Sequence, residues 1–203
     1  DICQSNALEK VFAKYDFSLI YHLAARAGVR TSIKEPVRYA ETNIIGTLNI
    51  LEAMKKYQVK NLVFASSSSV YSGNEKIPYS EQDIVDRPLS QYAASKKSAE
   101  VLIYTYHKLY EIKAKLLRYF TVYGPWGRPD MAYFKFSDKI IKGEKIDVYN
   151  YGKMKRDFTY IDDIVEGTLK AAEFAAEYEV FNLGHNQPVE LSYFISLLEK
   201  GLG

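Results

Sequence analysis

In the segment Tyr92-Ala93-Ala94-Ser95-Lys96 a tyrosine and a lysine stand four residues apart. On a helix these positions share one face. An ammonium one turn from a phenol favours the phenolate and lowers the tyrosine pKa, and a tyrosine tuned in this way can take a proton near neutral pH. The same spacing also describes a solvated Tyr and Lys on a helix surface. Upstream, Ala65-Ser66-Ser67-Ser68-Ser69-Val70-Tyr71 follows an apolar run and puts hydroxyls where a strand would end. Ligands of open α/β sheets bind at such carboxyl ends. The Ser67 hydroxyl could bond the oxygen whose proton Tyr92 removes, while a serine-rich turn bonding its own backbone is the competing reading. A third element of chemistry is Arg128, whose guanidinium fork matches a carboxylate in two hydrogen bonds. Its neighbourhood of prolines reads equally as a solvated loop.

Other polar residues carry less. His22 lies in an apolar run and reads as a buried or cofactor-lining residue rather than a base. His107 and His185 are isolated and Cys3 is the only cysteine, so no metal-ligand spacing and no internal disulfide arise. The lone cysteine fits a reducing, cytoplasmic setting. Asp162-Asp163 suits a helix start. The 18 tyrosines are mostly packing residues. The 203 residues are 47% apolar with a formal net charge of +2. That supports a packed core and gives no broad basic face for nucleic acid. No run approaches the roughly 18 apolar residues of a membrane span.

These side chains need a scaffold, and the apolar periodicity supplies one. Helices are expected over 4–15, 39–56, from a Ser90 cap to about Tyr110, 134–142, 161–174 and from 192. Short apolar runs at 17–23, 61–65, 116–121 and 179–183 read as buried strands, and 146–150 as a further short strand. Helices alternating with such runs imply parallel βαβ units and a doubly wound sheet. After Gly124 the pattern loosens.

Ser66-Ser67-Ser68 with Val70-Tyr71, followed by Tyr92-x-x-x-Lys96, resembles the catalytic pattern of extended short-chain dehydrogenases, the NAD-dependent epimerases and dehydratases. Asp1-Ile2 resembles that family's adenine-contacting pair, and His22-Leu23-Ala24-Ala25 its cofactor-lining strand end. Arg118-Tyr119-Phe120-Thr121-Val122-Tyr123-Gly124-Pro125 resembles the strand and loop leading to the sugar site. Arg156-Asp157-Phe158-Thr159-Tyr160-Ile161-Asp162-Asp163 resembles the segment whose arginine contacts the substrate diphosphate. Ala27-Gly28-Val29-Arg30, Gly127-Arg128-Pro129-Asp130-Met131-Ala132 and Gly152-Lys153-Met154-Lys155-Arg156 are most similar to the UDP-glucuronate 4-epimerase branch.

The resemblance implies an α/β fold, a Rossmann-like doubly wound parallel sheet with a smaller, mixed substrate-binding domain. Residues 1–124 would form a partial dinucleotide-binding domain. Residues 125–203 would be mainly substrate domain, interleaved with the last strands of the sheet at about 155–185. It implies Ser67, Tyr92 and Lys96 as catalytic residues. Asp1, Ile2, Leu23, Ala24, Ala25, Tyr92, Lys96 and Tyr119 would contact NAD. Arg30, Ser68, Ser69, Thr121, Arg128 and Arg156 would contact a UDP-sugar. It implies no metal, and a homodimer through helices 39–56 and 90–110. A decarboxylase of UDP-glucuronate, a UDP-glucose 4-epimerase and an inactive folded fragment share the same residues. The family's glycine-rich phosphate-binding turn has no counterpart in these residues, and truncation at both ends is expected.

Overall fold

Three of the apolar runs form parallel strands β1 (Ile20–His22), β2 (Asn61–Ser67) and β3 (Lys113–Tyr119) in the computed structural model, which describes residues 1–203 apart from the side chains at 149 and 150. With β6 (Tyr178–Leu183) they make a sheet of order β1-β2-β3-β6. Strands covered on both faces must be apolar throughout, and Leu62, Val63, Phe64, Ala114, Leu116 and Leu117 are buried. The register pairs Leu62, Phe64 and Ser66 with Ala114, Leu116 and Arg118. It pairs Val63, Ala65 and Ser67 with Lys115, Leu117 and Tyr119. Because side chains alternate along a strand, each set of six shares one face.

The first face is covered by α4 (Gly46–Lys56) and α5 (Gln91–Tyr110), whose Ile50, Leu51, Met54, Ala99 and Ile103 join Leu62, Phe64 and Leu116 in one core. α1 (Ser5–Lys14) adds Phe12 to it. The second face meets the end of α7 (Ile161–Glu173): Val63 and Lys115 line a cleft with Ala172 and Phe174, and the Tyr119 hydroxyl bonds Thr168 Oγ1 at 2.9 Å.

α5 is bounded as its sequence expects. The Ser90 hydroxyl accepts from Ala93 N–H at 3.1 Å, and Glu111 closes the far end in the left-handed region at φ 57°. The helix expected over 39–56 is composite. Short helices α2 (Val29–Lys34) and α3 (Pro36–Ala40) lead into one π-helical turn, Glu41–Ile45, before α4 begins. α2 carries no apolar periodicity of its own and was not expected.

The chain divides into two units, residues 1–119 with 168–182, and residues 120–167 with 183–203. In the second unit β4 (Thr121–Tyr123) pairs parallel with β5 (Lys155–Tyr160), which pairs antiparallel with β7 (Pro188–Glu190). The helices α6 (Ala132–Ile141) and α8 (Leu191–Leu202) belong to it, and Phe194 of α8 stacks on Phe158 with ring centroids 4.8 Å apart. β4, β5 and β7 were not legible as strands, since β4 and β7 are three residues long and β5 begins Lys-Arg-Asp. The strand expected at 146–150 is not formed over Ile146–Val148, and the side chains of its last two residues lie outside those described.

Ser90→Ala removes the cap of the helix that carries Tyr92 and Lys96. It is expected to cost about 1 kcal/mol, read as a lowered midpoint in chemical denaturation with an unchanged slope.

Candidate active site

Ser67 is the last residue of β2, and a 3₁₀ turn over Ser68–Tyr71 follows it directly. Its Oγ accepts from Ser69 N–H at 3.1 Å, so the hydroxyl caps the turn. A hydroxyl that accepts still has its own proton to donate, so the local role and a ligand-facing role coexist in one group. Ser66, one residue earlier, points to the opposite face and donates to Glu100 Oε1 at 2.6 Å. Ser68 and Ser69 are half-buried in the turn.

Tyr92 and Lys96 lie in the first half of α5. The half-buried Tyr92 ring meets Tyr39 edge-on, with centroids 6.2 Å apart. Tyr39 is buried in α3, and its hydroxyl donates to both Ala27 O (2.8 Å) and Gly28 O (3.0 Å). Lys96 is only 3% exposed. Its Nζ sits 4.7 Å from the centroid of the Phe64 ring, and no acceptor or counter-ion bonds it among the described residues. Burial pulls its pKa down to about 8, and the charge of Glu100 acts the other way. Desolvation disfavours the ammonium, a carboxylate favours it, and here the first effect is larger.

A polar line joins β1 to α5. The Thr47 hydroxyl donates to Asn43 O at 2.7 Å, one turn back. Its single proton being so used, Thr47 Oγ1 accepts from His22 Nε2, 2.9 Å away. His22 Nδ1 therefore carries the lone pair, and it is buried with no partner among the described residues. Burial, and then the nearby Lys96 charge, lower the His22 pKa to about 4, so the ring is neutral at pH 7 and is no base there. Asn43, inside the π turn, accepts from Arg26 N–H (2.7 Å) and donates to Arg26 O (2.9 Å) and to Ser95 Oγ (2.9 Å). Ser95 in turn donates to Tyr92 O at 2.8 Å. π turns inside α-helices concentrate at functional sites. This one fixes the loop after β1 against the first turns of α5.

Of the remaining candidates, Ile2 packs on the main core and its carbonyl accepts from Asn49 Nδ2 at 2.9 Å. Asp1 is exposed and accepts from Cys3 N–H through Oδ1. Leu23 and Ala24 are exposed and Ala25 half-buried just past the end of β1. The Tyr119 hydroxyl is engaged with Thr168, and burial raises its pKa. Arg30 lies exposed in α2. Thr121, Arg128 and Arg156 belong to the second unit. There Arg128 grips the Asp130 carboxylate through Nε and Nη2 at 2.8 and 2.6 Å, and the exposed Arg156 donates to Lys155 O. Tyr39, Asn43, Thr47, Glu100 and the side chain of Arg118 were not singled out from sequence. The available signals were an Asn and a Thr on an otherwise apolar helix face and an Arg directly after the apolar pair Leu116-Leu117.

Residues 1–184 match the NAD dependent epimerase/dehydratase family. The chain belongs to that family. It is 48% identical over 204 residues to a UDP-glucuronate 4-epimerase of Thermodesulfobacterium geofontis, a match that takes in 100% of this chain and 62% of that protein. A crystal structure of the UDP-glucuronic acid 4-epimerase of Bacillus cereus, with UDP-glucuronic acid and NAD, superposes with a TM-score of 0.88 at 39% identity over 98% of this chain and 63% of that one. The UDP-glucose 4-epimerase of Thermotoga maritima, with UDP-glucose, gives 0.94 at 34% identity over 100% and 67%. The chain spans 57% to 66% of the length of several curated relatives it matches.

The site suits the family's dinucleotide in one respect visible here. Lys96, buried near the carboxyl edge of the parallel sheet and with no acceptor among the described residues, has donors to spare for a ligand.

That burial has a thermodynamic sign. Lys96 has a folded pKa of about 8 against an ordinary 10.5, so between those values the unfolded chain binds the proton and the folded chain does not. This group's contribution therefore makes stability rise with pH across that window, and its penalty is fully present below it. Lys96→Met is expected to raise the unfolding free energy at pH 7 by at most about 3 kcal/mol, and to flatten the pH slope between 8 and 10.5. An unfolding series across pH checks both.

Proposed function

We propose that this chain carries the catalytic set of an NAD-dependent enzyme that inverts C4 of a UDP-uronic acid, interconverting UDP-glucuronate and UDP-galacturonate. The observation that carries the proposal is the buried Lys96 one turn after Tyr92, on the helix whose Glu100 bonds the residue next to Ser67. Tyr92 takes the proton of the sugar 4-hydroxyl and later returns it. Ser67 donates to the same oxygen, steadying it as it becomes a carbonyl. Lys96 keeps Tyr92 ionisable near neutral pH and donates to a ribose hydroxyl of the cofactor. NAD, when bound, takes up the C4 hydride and gives it back on the other face of the turned sugar, so no net oxidation results. Asp1, Ile2, Leu23, Ala24, Ala25 and Tyr119 complete the cofactor contacts in this reading. Residues 1–124 serve the dinucleotide, and residues 125–203 mainly serve the sugar, with about 155–185 interleaved. Arg30 and Arg156 contact the rest of the nucleotide sugar.

The uronate carboxylate separates this reaction from its relatives. A 4-keto uronic acid is a β-keto acid and loses carbon dioxide when its C5–carboxylate bond lines up with the carbonyl π system. Thr121 and Arg128, with Ser68 and Ser69, hold the carboxylate out of that line. The two bonds from Arg128 to Asp130 support this role, since they show the guanidinium engaging a carboxylate by its fork. Incubating the full-length protein with UDP-glucuronate and NAD is expected to give UDP-galacturonate without release of carbon dioxide. In Arg128→Ala, decarboxylated product or a loss of uronate binding is expected. Unchanged epimerisation by that variant rules the clamp out. The high similarity to the Thermotoga maritima structure favours a second reading, 4-epimerisation of UDP-glucose, and turnover of UDP-glucose in preference to UDP-glucuronate establishes it.

The same reading assigns a homodimer through helices 39–56 and 90–110. Val101 on α5 is 53% exposed, and Ile45 at the start of the first of these helices is half exposed, more apolar surface than those positions need for packing on the sheet. No helix among the described residues is long and apolar enough to cross a membrane. Val101→Glu is expected to convert the dimer to monomer in sedimentation or light scattering. A wild-type mass of one chain removes the assignment.

A further inference from the structure

Glu100 is the buried acid closest in sequence to the Tyr92–Lys96 couple. It follows Lys96 by one helical turn, and both are buried on α5. Its side chain is 2% exposed and that of Arg118 4%. Arg118 Nε donates to Glu100 Oε1 at 3.0 Å and Nη2 to Oε2 at 2.8 Å, a bidentate pair. Ser66 Oγ adds a third bond to Oε1, and Lys97 Nζ reaches Oε2 at 3.4 Å. Arg118 is held from behind: Nη1 donates to the Tyr71 hydroxyl at 2.8 Å, and that hydroxyl donates to Asn182 Oδ1 at 2.7 Å. A carboxylate taken out of water at this depth is costly before pairing, and apolar residues would pack the same space. Its retention next to Lys96 calls for a reason other than stability.

We propose that Glu100 is a positioning residue of this site: clamped by Arg118, it locks α5 to the strand that carries Ser67 and supplies the buried negative charge that keeps Lys96 cationic beside Tyr92. The inference rests on the reading of Tyr92 as the base and Lys96 as its partner. The bonds account for the first half, because Ser66 and Arg118 lie in β2 and β3 while Glu100 lies in α5. The surroundings of Lys96 account for the second. From β1 the neutral His22 lies near it, from β2 the uncharged Phe64 ring, and from its own helix the carboxylate of Glu100, whose charge is offset in part by Arg118 of β3 and by Lys97. Glu100 is the acid among them. Held by Arg118, Ser66 and Lys97, its carboxyl stays below the usual range against the pull of burial. It therefore remains charged wherever Lys96 titrates.

The test uses the full-length protein in three forms besides wild type. Glu100→Asp keeps the charge, Glu100→Gln removes it, and Glu100→Gln with Arg118→Met removes the whole pair without stranding a buried guanidinium. The last form folds even if the single Gln variant does not, since replacing both partners leaves no unpaired charge. Two quantities are read: the alkaline limb of the kcat profile, and the titration of the Lys96 Cε resonance by NMR in the protein without substrate. Both are expected to fall by about half to one pH unit in Glu100→Gln, and by a smaller amount in the double variant, which also removes the Arg118 cation. Both should return to the wild-type value in Glu100→Asp, even where kcat itself drops. A merely structural ion pair would lower stability and leave both at wild type, and that result in the folded double variant overturns the inference. Tyr92→Phe is the control for the underlying reading. If it retains turnover, that reading fails, while the Lys96 titration still judges Glu100.

Discussion

The bidentate pair between Glu100 and Arg118 is the constraint on which the rest of the first unit's polar architecture depends. It joins a helix to two strands at the level where the sheet stops being oily and begins to face ligand. Below it lies the continuous apolar cluster of Leu51, Met54, Leu62, Phe64, Ile103 and Leu116. Above it lie Ser67, Tyr92 and Lys96. An apolar contact at this height would allow α5 to slide along the sheet by a fraction of a turn. A fork of two charge-assisted bonds has one best geometry. Catalytic groups on separate elements need placement within about half an ångström, and this interaction is of the kind that supplies it.

The polar line from His22 through Thr47 and Asn43 to Ser95 performs a similar task on the other side of α5. It rests on an irregularity, the π turn at Glu41–Ile45, which turns Asn43 inward far enough to clasp both backbone groups of Arg26. Two independent polar fixtures thus hold the helix that carries Tyr92 and Lys96, one toward its middle and one in its first turns. Lys96 stands between them, buried and without an acceptor among the described residues. Its burial makes it costly, and the costly state is what a group waiting for a ligand looks like.

The parallel sheet was legible because doubly covered strands must be apolar and the helices between them amphipathic. Ile20–His22, Asn61–Ser67, Lys113–Tyr119 and Tyr178–Leu183 could be found from those two rules, as could α5 with its Ser90 cap. The second unit was less legible, since Lys155–Tyr160 begins Lys-Arg-Asp and gains its strand partners from segments distant in sequence. At the site, the Tyr92–Lys96 spacing fits a solvated helix surface as well, and it was the serine run upstream together with the family resemblance that singled the pair out. Glu100 was hidden, because a glutamate on a helix ordinarily faces water. Only Arg118, the penultimate residue of β3 and opposite Ser66, turns that glutamate into a buried counter-ion. Asn43 was hidden for a different reason: regular helical periodicity cannot represent a π turn, so an Asn there reads as one more polar helix position rather than as a clasp on Arg26.

The chain enters the second unit after Tyr119, returns at Thr168 and leaves again after Asn182. The strand β6, which flanks β3 and provides Asn182 to the Tyr71 hydroxyl, is therefore made long after the strands it completes. On the ribosome, the nascent first unit emerges with an open sheet edge beside β3, and that edge stays bare until some sixty further residues have been synthesised. At about 5–20 residues per second the exposure lasts several seconds. An unpaired edge is a template for pairing with another chain, so this arrangement of segments gives the newborn polypeptide a defined interval in which that edge lacks its own partner.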